Sequence, residues 1–170
     1  VLLAVLHGLI FVGGQTATTG NLSFPLDDSF IHLQYGKQIA RGFYFQYQDH
    51  APASTGETSF LYGHVLALGY LIGFRGVLHL VWAHVVALFS AAFIFYFVLE
   101  LGGRLYSYWL GGLILVVLGT SGYMQWGIWS GMEIALFTAL LLAVFYYLFE
   151  SRYTAMLISM AFLSLCRPEG

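Results

Sequence analysis

The chain has 170 residues, of which 59% are hydrophobic and only 8% are charged, with a mean hydropathy of +0.80. Six basic and eight acidic side chains cannot cover the surface of a soluble domain of this size, so the composition excludes an ordinary water-soluble fold and indicates an integral membrane protein. A net charge of −2 removes the case for a nucleic-acid surface, and a single cysteine, Cys166, excludes an internal disulfide.

Taken in chain order, residues 1–13 read as the end of a first membrane span closed by Gly13-Gly14. The chain opens inside an apolar run with no basic leader and stops abruptly after another, so it reads as a piece of a longer protein. Residues 15–60 form a polar segment carrying Asp27, Asp28, Lys37, Arg41, Asp49 and Glu57. Within it Pro25 sets the approach to a helix, Asp27 is the expected N-cap, and residues 28–41 are the expected helix, ended by Gly42. Asp28 and His32 are four residues apart and share a face, while Lys37 and Arg41 suit the helix C-terminus. The aromatics Phe43, Tyr44, Phe45 and Tyr47 fit either an interfacial anchor or a sugar-stacking surface. Glu57 or Thr58 is expected to cap the next helix, over about 59–74.

The run 61–74 is short, holds three glycines and His64, and ends at Arg75. It is expected to lie in the membrane interface rather than cross. Residues 77–99, 105–122, 132–149 and 153–166 are the expected spans, the last extended by snorkelling of Arg152. Arg104 and Arg152 fall in tight connections two spans apart, so they share a side, and the positive-inside rule makes that side the cytoplasm. The 15–76 segment, the turn 121–131 and the terminal "RPEG" then meet on the opposite side. His79 and His84 are the deep ionisable groups. Asp49-His50 has no third ligand at a zinc-like spacing.

Adjacent carboxylates repel, which raises one pKa toward a useful value for a general base, while the other can orient an acceptor or hold a divalent cation. The residues alone leave open which is which. Read without this chemistry, Asp27 simply caps the helix, Asp28 suits its first turn and the two bases suit its last. Glu133 and Arg167 sit at the mouths of two apolar runs, where they serve as capped helix ends or, for the guanidinium, as a phosphate contact.

Four stretches in order, "PLDDSFIHLQYGKQIARGFYFQY", "GETSFLYGHVLALGYLIG", "SGMEIALF" and "LCRPEG", resemble the first extracytoplasmic loop and following motifs of the GT-C superfamily of polytopic membrane glycosyltransferases. Relatives there include protein mannosyltransferases, aminoarabinose transferases and arabinofuranosyltransferases. Ser59-Phe60 replaces the usual Ser-Pro, and Ile134-Ala135 replaces Thr-Pro. The resemblance implies an all-α transmembrane bundle with two extracytoplasmic juxtamembrane helices, of which residues 1–170 are an N-terminal part inactive by itself. It implies inverting transfer of a sugar from a polyprenyl-phosphate donor to a hydroxyl or phosphate acceptor on a glycan, lipid or protein, at the outer face of the cell membrane. Asp27 would be the base and Asp28 its assistant, with a divalent cation compatible with the pair. Arg167, Lys37 and Arg41 would hold the donor phosphate, and His32, Tyr35, Glu57, His64, Glu133 and Glu169 would line the groove. The rival readings are a transporter or flippase of lipid-linked sugars, which places ionisable groups near the bilayer midplane, and a non-catalytic membrane scaffold.

Overall fold

The computed structural model describes residues 2–54 and 56–167, so Glu169 lies outside the described residues. Among these the chain is all-helical, in the order α1 (Leu2–Thr19), α2 (Asp27–Ala40), α3 (Phe60–Leu71), α4 (Val77–Leu105), α5 (Tyr108–Thr120), α6 (Gly122–Trp129), α7 (Ile134–Phe149) and α8 (Tyr153–Cys166).

Two helices, α1 and α4, are long and apolar enough to cross a membrane. The bent pair α6 and α7, which turns through 105°, makes a third candidate. At 1.5 Å per residue α4 is about 43 Å long, more than the ~30 Å hydrocarbon core. The helix α3 has 12 residues, about 18 Å, and is too short to cross unaided. The same holds for α5 and α8, at 13 and 14 residues, which had been expected to span. These features are consistent with a membrane protein.

Several boundaries differ from the sequence reading. The first helix continues through Gly13-Gly14 to Thr19, and Thr16, Thr18 and Thr19 turn their hydroxyls back onto the carbonyls of Val12, Gly14 and Gln15, which satisfies those side chains within the helix. It ends at Gly20, at φ +76°. The helix α4 runs six residues past Leu99, helped by the Glu100–Arg104 pair on one face. Ser107 then caps α5 by accepting from the Leu110 N–H. The 121–131 turn holds the short helix α6.

The core is built on small residues. Ala83, Ala87 and Ala91 recur every four positions on α4, as do Ala135, Ala139 and Ala143 on α7, and all six are buried. Ala87, Ala91, Ala135 and Ala139 share one cluster with Ile94, Phe95, Ile128 and Trp129. Small faces let two helix backbones approach closely, the usual device where lipid gives no hydrophobic drive to association.

The two ends of the bundle are chemically distinct. At one end the α4 start packs on α3, where His79 Nε2 lies 3.0 Å from the Leu66 carbonyl and Trp82 donates to the Val65 carbonyl. Tyr62 of α3 donates to the Gly131 carbonyl just before α7. At the other end Arg104, near the α4 C-terminus, pairs with Glu150, just after α7. Helices α4 and α7 therefore run the same way, and α8 returns, bringing Arg167 back to Glu133.

Candidate functional site

The α2 N-terminus is built differently from the expectation. Leu26, not Asp27, holds the N-cap position, and no side chain caps the helix. Asp27 and Asp28 are the first two helical residues and are exposed. Carboxylates there complement the helix dipole. Among the described residues neither is engaged in a hydrogen bond or ion pair. The next residue, Ser29, is wholly buried and donates to the Ser130 carbonyl at 2.6 Å. That bond fixes the acidic turn against the elbow between α6 and α7. Gly131 in this elbow has φ +81°, and a Cβ there would lie 2.6 Å from the Phe24 ring, so only glycine fits.

Beneath the acidic turn lies a buried ionic cluster. Asp28 and His32 share a helical face, as the spacing requires, but Asp28 is in solvent while His32 is 3% exposed. His32 Nε2 stands 3.2 Å from Glu133 Oε2, and its Nδ1 stands 3.9 Å from Glu57 Oε1. Glu133 is wholly buried, and its other oxygen accepts from Arg167 Nε at 2.8 Å. The Tyr62 ring meets the imidazole edge-on at 5.5 Å. Two carboxylates, one imidazolium and one guanidinium balance in charge, as burial of ions requires. Burial alone pulls the His32 pKa down, but the facing carboxylates of Glu133 and Glu57 outweigh it and raise it to about 9. Burial raises the Glu57 pKa, with the imidazole pulling the other way. His32 Nδ1 and Glu57 Oε1 are buried and lack hydrogen-bond partners; at 3.9 Å their contact is electrostatic. The Glu57 carboxylate rests directly on Gly63, where a Cβ would collide with it.

The remaining candidates divide. Arg41 holds Asp49 with two hydrogen bonds of 2.6 and 2.7 Å, which keeps the Asp49 carboxyl down at about 2, helped by Gln38. Lys37, half-buried, lines a separate groove of about 420 Å³. Tyr35 is buried, its hydroxyl 3.4 Å from the Ser54 carbonyl, and serves packing. His64 leans on the Phe60 ring at 4.2 Å and on that residue's carbonyl, at the Glu57 edge of the cluster. Ser59, not Glu57 or Thr58, caps α3, accepting from the Tyr62 N–H. Among the described residues no group of three or more His, Cys, Asp or Glu side chains converges on a metal position. A cation at Asp27 and Asp28 would have those two carboxylates and substrate oxygens as ligands.

Sequence reasoning did not single out Ser29, Tyr62, Ser130 or Gly63. The Ser59-to-Tyr62 spacing was the available signal for the α3 cap. Ser29 and Ser130 lie 101 positions apart, and no local pattern joins them. Comparison with family models, curated proteins and solved structures returns no match for this chain.

Proposed function

We propose that the chain is the N-terminal part of a polytopic GT-C-type glycosyltransferase, with α2 and α3 as juxtamembrane helices on the extracytoplasmic side. The carrying observation is the exposed, unengaged carboxylate pair Asp27 and Asp28, pinned to the α6–α7 elbow by the Ser29–Ser130 bond and underlain by the Glu133–Arg167 pair. Exposure leaves the pair open to an acceptor, and the buried cluster gives it a fixed base.

In this reading Asp27 takes the proton from an acceptor hydroxyl as its oxygen attacks the anomeric carbon of the donor sugar. The bond to polyprenyl phosphate breaks and the configuration inverts. Asp28 orients the acceptor. Arg167, whose Nε serves Glu133, belongs to a guanidinium with five N–H donors, suited to the charge that develops on the leaving phosphate. The sugar, the polyprenol and the acceptor follow from the family resemblance only as classes.

The test is Asp27→Asn and Asp28→Asn in the full-length protein, assayed for transfer from polyprenyl-phosphate sugars. Loss of a general base lowers turnover by ~10²–10⁴-fold. Full turnover in both variants overturns the mechanism.

A further inference from the structure

A second groove runs along α2 from Phe30 to Lys37. The groove of about 420 Å³ is lined by Phe30, Gln34, Lys37, Tyr47, Tyr70 and His79, among others, and none of its lining residues is acidic. Lys37 makes no ion pair among the described residues. Asp49, whose carboxyl the Lys37 charge helps hold low, is itself engaged by Arg41 and Gln38. Arg75, next to the lining residue Gly76, places its guanidinium 5.2 Å from the Tyr70 ring that forms one wall. Its hydrogen bond, to the Tyr70 carbonyl at 3.5 Å, is weak. Lys37 therefore lines the groove and Arg75 adjoins it, and among the described residues neither is in a salt bridge, with Asp49 the carboxylate near Lys37.

The surroundings of the groove are apolar and exposed. Leu71, Ile72, Val77 and Leu78 are between 53% and 68% exposed at the α3–α4 corner. This corner begins α4, whose length of about 43 Å matches a bilayer including its headgroup regions, ~40–45 Å. If α4 crosses, Val77 and the groove beside it stand at headgroup depth. A free anion in water has no use for the apolar rim, whereas a lipid has both a phosphate for the cations and chains for the rim.

We infer that this groove binds the phosphate headgroup of an anionic phospholipid, with Lys37 and Arg75 as its charge contacts and Leu71, Ile72, Val77 and Leu78 against its chains. Lys37 lies ten residues along α2 from Asp27, about 15 Å of helix, so the charge contact stands apart from the carboxylate pair, while the Phe30 wall of the groove begins two residues from Asp28. It rests on α4 crossing the membrane and not on the glycosyltransferase reading.

The full-length protein is delipidated, offered mixed phosphatidylglycerol and phosphatidylcholine in nanodiscs, and its retained lipids are counted by native mass spectrometry. The wild type retains phosphatidylglycerol in preference. Lys37→Gln with Arg75→Gln weakens that retention about thirty-fold, the effect of two basic groups at an anionic surface, and each single variant about five-fold. The charge-conserving pair Lys37→Arg with Arg75→Lys keeps the preference, as does Arg152→Gln, an exposed cation at the opposite end. Each variant is checked for an unchanged melting temperature, and the single variants carry the test if the double one melts early. Unchanged phosphatidylglycerol retention in the Gln variants, or equal retention of phosphatidylcholine, overturns the inference. Displacement of the lipid by millimolar inorganic phosphate overturns it too, because the groove would then be a plain anion site.

Discussion

His32 has one ring nitrogen for each of two carboxylates, and that arrangement dictates how the first loop responds to pH. With a folded-state pKa of about 9 against the ordinary 6.5, the imidazolium contributes its full stabilisation below about pH 6.5. The contribution falls as pH rises and is lost once pH passes about 9. The shift corresponds to roughly 3 kcal/mol at 1.36 kcal/mol per pKa unit, an upper figure for a group that is almost wholly buried. Glu57, whose pKa is raised by burial, also destabilises as pH rises, so the His32 variant is what isolates the histidine's share. Melting temperatures of the purified protein from pH 6 to 10 are expected to fall across the alkaline limb. His32→Asn is expected to melt lower at pH 7 and to lose most of that slope. Equal slopes in the two proteins would remove His32 from the account. At this scale the sequence was legible only in parts: His32, Glu57, Glu133 and Arg167 stood out singly as ionisable groups near apolar runs. Their union could not be read, because it depends on α8 returning beside the α7 start, a tertiary fact with no local signature.

The helices themselves were more legible than their ends. Apolar runs located α4, α7 and α8, because burial in lipid or protein needs a continuous apolar surface. Ends were misjudged where polar side chains are satisfied inside a helix, as with the threonines of α1 beyond its glycine pair and the Glu100–Arg104 pair in the last turns of α4. The alanine ladders on α4 and α7 were present in the sequence at a spacing of four but merged into a uniformly apolar background, where periodicity carries little contrast. Their packing makes a sharp prediction. Ala87 and Ala139 are 7% and 6% exposed within one cluster, so Ala87→Leu or Ala139→Leu must push the two helices apart. Each is expected to cost ~1–3 kcal/mol, read as a lower melting temperature in detergent, while Ala155→Leu, on a half-buried face of α8, is expected to change little. Equal tolerance at all three positions would mean that α4 and α7 do not pack through these faces.

For the whole molecule, charge is sorted to the two ends of the parallel helices α4 and α7. The His32, Glu133 and Arg167 cluster marks one end, and the Arg104 pairs with Glu100 and Glu150 mark the other. Gln48 belongs to the first end, Ser107 and Ser151 to the second, and all three are exposed. Single cysteines at these positions, with the buried Cys166 replaced by alanine, report the topology when intact cells expressing the full-length protein meet a membrane-impermeant thiol reagent. With α4 crossing, labelling is complementary: whatever Gln48 does, Ser107 and Ser151 do the opposite. Identical labelling of all three would mean that α4 does not cross, and the phospholipid site would fall with it. The side is a separate question. The transferase proposal puts the second end, with Arg104 and Arg152, in the cytoplasm. Labelling at Gln48 alone is therefore expected, with Asp27 and Asp28 facing outward beside it. The inverted pattern would keep the crossing and the phospholipid groove but put the carboxylates in the cytoplasm, which removes the polyprenyl-phosphate transferase reading.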